Sequence, residues 1–99
     1  LAKEVVKGRY SRGILVCNTG IGFSIVANRI PKIRAALCYN QSAAKFSRAH
    51  NDANILVLGA RFISPASAKR IAGVWCKTKF LKGRHARRLE QIEKLAKIT

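Results

Sequence analysis

Short apolar runs closed by turn residues alternate along this chain with longer stretches whose apolar positions recur every three or four residues. The runs are Gly13–Cys17 (Gly-Ile-Leu-Val-Cys), 34–38 (Arg-Ala-Ala-Leu-Cys) and 54–58 (Asn-Ile-Leu-Val-Leu), the last closed by Gly59. Runs this short and this uniformly apolar predict buried parallel strands. Helical spacing covers 21–29, with Ile21, Ile25 and Val26 on one side and Asn28 near the end, where Pro31 blocks continuation. It returns over 42–50 and from Pro65 to about Lys77, with the proline in the first turn. Residues 80–83 connect to a last amphipathic helix, 84–97, carrying Leu89, Ile92 and Leu95, with Ile98 just beyond. Residues 1–9 also look helical. Strands alternating with helices predict an α/β fold of parallel βαβ units with right-handed crossovers, three strands making a thin sheet short of one edge.

Composition narrows the class. Ninety-nine residues, 48% of them apolar, suit one folded domain spanning 1–99 and argue against disorder. No apolar run approaches the ~20 residues that cross a bilayer, so no membrane partner is expected. Cys17, Cys38 and Cys76 are odd in number and form no C-x-x-C pair, which supports neither a zinc site nor a disulfide framework. A reducing, cytoplasmic setting fits them, with Cys38 and Cys76 read as structural.

The net charge is +16, only Glu4, Asp52, Glu90 and Glu93 opposing twenty Lys and Arg. Such a balance admits a nucleic-acid partner. Yet the positive residues are spread along helix faces, dense only from Lys77 to Arg88, and the few aromatics form no recurring base-stacking platform. A solvated basic surface that also serves an anionic small substrate is the stronger reading.

Candidate chemistry begins where the first strand ends. Cys17 is followed by Asn18-Thr19-Gly20-Ile21-Gly22, a glycine-bearing loop that opens a helix. The glycines let backbone N–H groups approach an anion, and the helix start adds partial positive charge. A thiol at the carboxyl end of such a strand sits where open α/β sheets place ligands, although a buried structural thiol reads equally well. The loop lacks the third glycine and the later acidic residue of a dinucleotide fingerprint. His50, before Asn51 and Asp52, reads either as a favourable charge at a helix C-terminus or as a catalyst that the connection to the third strand need not keep far from Cys17. Arg84 and Arg88, four apart, suit a phosphate clamp or a basic solvent face, to which Arg87 belongs.

The run Gly-Ile-Leu-Val-Cys-Asn-Thr-Gly-Ile-Gly-Phe-Ser-Ile-Val-Ala-Asn-Arg resembles the signature of the type B ribose-5-phosphate isomerase family, which includes allose- and galactose-6-phosphate isomerases. The likeness continues through Ile33-Arg34-Ala35-Ala36-Leu37-Cys38, Ser47-Arg48-Ala49-His50-Asn51-Asp52-Ala53-Asn54, Leu58-Gly59-Ala60-Arg61 and Gly83-Arg84-His85-Ala86-Arg87-Arg88, in family order. The resemblance implies a Rossmann-like three-layer αβα fold with a parallel sheet. It implies aldose–ketose isomerisation of a sugar phosphate through a cis-enediolate, without metal or organic cofactor. It further implies a homodimer, or a higher oligomer, whose active sites draw residues from both subunits. By position, Cys17 would be the base moving a proton between C1 and C2. Thr19 and the N–H groups of Asn18, Gly20 and Gly22 would hold the enediolate oxygen. His50 would assist ring opening, Asn51 orient the substrate, and Arg84 and Arg88 hold the phosphate. Two departures stand out: Asn18 occupies a position where the family typically has glycine, and the family's strand–helix–strand ahead of the Cys strand, with its Asp-His pair, has no counterpart here. The expected identity is therefore the C-terminal portion of a ribose 5-phosphate–ribulose 5-phosphate isomerase. Specificity for a six-carbon sugar phosphate, a non-catalytic basic module and a pseudoenzyme on the same fold are the alternatives.

Overall fold

In the computed structural model, which describes residues 5–8 and 10–98, three parallel strands form one sheet: β1 (Gly13–Cys17), β2 (Ala35–Leu37) and β3 (Ile55–Gly59). Four helices follow the spacing predicted for them: α1 (Ile21–Asn28), α2 (Gln41–Ala49), α3 (Pro65–Lys77) and α4 (Arg84–Ile98). Of the helix expected over 1–9, Val5 and Val6 are helical, while residues 1–4 and 9 lie outside the described residues. Helix starts are set locally. Asn40 Oδ1 accepts the Ala43 N–H at 2.7 Å to open α2, and Ser64 Oγ accepts the Ser67 N–H at 3.1 Å ahead of Pro65 to open α3.

The sheet order is β1-β3-β2, so the chain steps over β3's place to lay down β2 and then returns. Right-handed crossovers taken in opposite directions along a sheet put their helices on opposite faces. β3 therefore becomes the middle strand, buried along its whole length. Its side chains alternate between two cores. Ile55 and Val57 pack with Val5, Ala27 and Ile33 on the α1 side, whereas Leu56 and Leu58 pack with Ala44, Ile71 and Trp75 under α2 and α3. These are the parallel βαβ units that the alternating pattern predicts, in the three-layer, Rossmann-like form that the family resemblance implies. Side-chain amides finish the short strands. Asn28 bonds both backbone groups of Ala35, at 2.8 and 3.0 Å, and Asn54 takes the Arg34 N–H at 2.7 Å and donates to Lys32 O at 2.9 Å. Arg34 and Asn54, expected to open β2 and β3, lie just before those strands: the Arg34 N–H goes to the Asn54 side chain, while Asn54 N–H still donates to Arg34 O and Asn54 O accepts from Gly13 N–H.

The apolar side of α1 faces outward: Ile21, Ile25 and Val26 are more than half exposed, and the helix buries only Ala27. It rests on β2 and β3, while β1 has no strand on its outer edge among the described residues, leaving Val16 exposed as well. Ile92 and Leu95 of α4 are likewise exposed. Of the two cysteines read as structural, Cys38 is buried and Cys76 is exposed on α3. No helix among the described residues is long and apolar enough to cross a membrane.

Candidate active site

The carboxyl end of the sheet carries the thiol loop. Cys17 is the last residue of β1, opposite Gly59 of β3, and its half-buried Sγ lies 3.8 Å from Leu58 O. The loop beyond it is held by main-chain bonds: Ala60 N–H donates to Cys17 O at 2.7 Å and Arg61 N–H to Asn18 O at 2.9 Å. Tyr39 O–H adds a third, to Thr19 O at 3.0 Å. Two glycines permit this closeness. Gly20 has φ +84°, and a Cβ there would strike Leu37 and Val57; a Cβ on Gly59 would strike the Thr19 carbonyl.

What the loop offers is a set of donors. Thr19 Oγ1 accepts the Ile21 N–H at 3.3 Å, which leaves its own proton free to donate. The first intrahelical bond of α1 runs from Ser24 to Gly20, so the N–H groups of Gly22 and Phe23 lie ahead of any helical acceptor. Asn18 has no positive φ, so the departure from glycine adds a side chain without backbone strain, and that residue is exposed.

The opposite end of the sheet carries the two imidazoles with Arg84 and Arg88. His50 caps the C-terminus of α2, with its ring between Phe46, at 4.7 Å, and His85, stacked at 4.3 Å and 12°. His85 lies in the first turn of α4, between the exposed Arg84 and Arg88. It is buried, and loss of hydration first, then the charges of His50, Arg84 and Arg88, hold its imidazole below the ordinary range. A cleft of about 630 Å³ opens beside this cluster, between the α1–β2 connection, Asn51 and the Leu89–Ile92 turn of α4. Arg87 is exposed, as expected of a solvent face.

The structure thus gathers Cys17, Asn18, Thr19, Gly20 and Gly22 at one place and His50, Asn51, Arg84 and Arg88 at another. It does not bring the two together within one chain. α2 ends near the start of β3, where Ile55 pairs with Gly13, whereas Cys17 lies level with Gly59. Four residue steps along a parallel strand separate those levels by about 13 Å. The connection before β3 therefore keeps His50 far from Cys17, contrary to expectation.

Comparison with known proteins identifies the scaffold. Residues 1–92 match the family model described as Ribose/Galactose Isomerase. The chain belongs to that family. It is 45% identical over 92 residues to the D-erythrulose-4-phosphate isomerase of Pectobacterium atrosepticum, covering 93% of this chain and 60% of that protein. It is 41% identical to ribose-5-phosphate isomerase B of Escherichia coli, covering 93% and 62%. The solved ribose-5-phosphate isomerase B of Clostridium thermocellum superposes with a TM-score of 0.95 at 48% identity, covering 97% of this chain and 65% of that one. The chain spans about three fifths of the length of the curated relatives it matches. It is a sugar-phosphate isomerase family chain with the Rossmann-like fold of those structures.

Residues outside the sequence-based candidates shape both places. Gly59 and Tyr39 fix the thiol loop, and His85 stacks on His50. His85 lies inside the Gly83–Arg88 block and Gly59 closes an apolar run, so both carried a signal. Nothing in the sequence pairs Tyr39 with Thr19.

Two outcomes are expected. Gly59→Ala pushes against Thr19 and lowers unfolding stability in urea by about 1–3 kcal/mol. Because the charged form of His85 is disfavoured in the folded chain, the unfolded chain binds more protons below its ordinary value of 6.5. That contribution is complete above this pH and is lost as the pH falls through the folded value. The melting temperature of the wild type should therefore drop more steeply between about pH 7.5 and about pH 5.5 than that of His85→Asn.

Proposed function

We propose that this chain carries the reaction centre of an aldose–ketose isomerase acting on ribose 5-phosphate and ribulose 5-phosphate. The observation that carries the reading is the thiol loop: a half-buried Cys17 ends β1, and the loop that follows it opens α1 with the Thr19 hydroxyl and an N–H of Gly22 that lies ahead of any helical acceptor. The Cys17 sulfur takes the C2 proton of the open aldose, and negative charge develops on O1. Thr19 and the N–H groups of Asn18, Gly20 and Gly22 stabilise that oxygen as the cis-enediolate forms. A proton passes from O2 to O1, and return of the sulfur-held proton to C1 completes the ketose. His50 opens the sugar ring, Asn51 orients the chain of hydroxyls, and Arg84 and Arg88 clamp the phosphate.

These roles need Cys17 and His50 around one substrate, and a single chain holds them at opposite ends of its sheet. A second copy placing its His50–Arg88 cluster over the first copy's thiol loop completes the site in a homodimer. Exposed apolar side chains beside each place, Ile21, Ile25 and Val26 on α1 and Ile92 on α4, supply surface for that contact.

A four-carbon substrate is the second reading, supported by the 45% identity to a D-erythrulose-4-phosphate isomerase. Turnover of ribose 5-phosphate, allose 6-phosphate and erythrulose 4-phosphate by the intact protein distinguishes the substrates. Ribose 5-phosphate is expected to be isomerised fastest, and Cys17→Ala to lower kcat by at least about 100-fold. Undiminished turnover in that variant removes Cys17 as the base.

A further inference from the structure

Only four acidic residues stand against twenty Lys and Arg in this chain, and one of them, Asp52, sits between two arginines just beyond His50 and Asn51. Its Oδ1 accepts from Arg48 Nη1 at 2.9 Å and its Oδ2 from Arg34 Nη2 at 3.3 Å. Arg34 also donates from Nε to the Asp52 carbonyl at 2.8 Å, so one guanidinium grips both ends of the residue. Arg48 is buried under α3, where Nε donates to Thr78 O at 3.2 Å and Nη1 to Ala53 O at 2.7 Å. The two arginines tie the entry to β2, the end of α2 and the end of α3 to a single carboxylate.

The backbone makes the choice of residue informative. Asp52 has φ +48°, the left-handed conformation with which helices commonly end, and glycine adopts it without steric cost. Glycine would close this turn and keep its carbonyl for Arg34 Nε, but it could offer no carboxylate to either guanidinium. Stability is a weak reason for the half-exposed Arg34 arm, a kind of pair worth about 0–1 kcal/mol, whereas the carboxylate also neutralises the buried Arg48 guanidinium. His50 and Asn51 are the only residues between α2 and Asp52. Main-chain bonds from Asp52 N–H to Arg48 O, at 3.2 Å, and from Ala53 N–H to Ser47 O, at 2.9 Å, close that turn, and the clamp fastens it to the entry of β2 and the end of α3.

We propose that Asp52, held by Arg34 and Arg48, is a positioning residue that sets the orientation of His50 and Asn51 for ring opening. The inference rests on the isomerase reading above and assigns work to groups that reading leaves unused. Ribose 5-phosphate is cyclic and must be opened, whereas ribulose 5-phosphate cannot close a five-membered ring because its terminal oxygen is esterified. Misplacing His50 therefore slows use of the cyclic aldose, whereas open aldose made from ribulose 5-phosphate can leave the site and close in solution; a merely structural defect lowers both directions together.

The test compares wild type, Asp52→Asn, His50→Asn and the double variant in both directions. Asparagine retains the left-handed turn and removes the charge. Asp52→Asn is expected to lower kcat with ribose 5-phosphate about tenfold. Turnover of ribulose 5-phosphate should stay within about twofold, and the substitution should add nothing further in the His50→Asn background. Arg34→Gln, which removes a half-exposed arm and leaves buried Arg48 in place, should give a smaller loss with the same directional bias. Equal losses in both directions, no loss, or additive losses in the double variant overturn the proposal. Imidazole carbon-bound proton resonances give a readout independent of turnover: Asp52→Asn should move the His50 signals. Unmoved signals overturn the clamp even in a protein that is inactive, whereas moved signals with no wild-type turnover support the clamp and remove the isomerase reading instead.

Discussion

A parallel sheet has two chemically different ends, and the rest of this structure follows from that polarity. Strands leave their carboxyl ends into loops that open helices, so N–H donors collect there. Helices return to the amino ends, where their C-termini favour cations. In this chain the thiol and the donor loop fall at the first end, and His50, at the C-terminus of α2, falls at the second, where the start of α4 adds His85, Arg84 and Arg88. β3 enforces the separation. It is buried on both faces, runs in register with β1 from Gly13 to Cys17, and sits between the two other strands.

Rigidity is distributed to match. The thiol loop is fixed by main-chain bonds onto the residues after β3, with Gly20 and Gly59 removing the atoms that would hold the segments apart. The cationic end is fixed by side chains: stacked rings around His50 and a carboxylate shared by two arginines beyond it. Between these ordered ends lie exposed apolar positions on β1, α1 and α4 that the described residues do not cover. Under the proposed reading these features have one explanation, a reaction centre shared between two copies.

Much of the fold was legible in the sequence because its signals are local. Uniform apolar runs marked β1, β2 and β3, and Pro65 marked the start of α3. Strand order was not legible, since nothing in three similar runs says that the last inserts between the first two. The outward turn of α1 was not legible for the same reason: Ile21, Ile25 and Val26 share one side of the helix, and only the place of α1 over β2 and β3, with β1 at the edge, shows that this side lies outside. The candidate site was legible as residue types. Its division was not, because the nearness of His50 to Cys17 depends on which end of the sheet each occupies. The partners of Asp52, eighteen residues back and four residues back, were hidden by the same gap between sequence separation and space.

Mixing two variants, each strongly impaired with ribose 5-phosphate, tests the shared centre most directly. Cys17→Ala and His50→Asn chains are unfolded together and refolded, and isomerisation of ribose 5-phosphate is measured against each variant alone. If each site takes Cys17 from one copy and His50 from the other, a mixed dimer holds one intact site, and random pairing restores about a quarter of wild-type activity. Mixed dimers that form and remain as inactive as their parents would contradict a centre built from two copies.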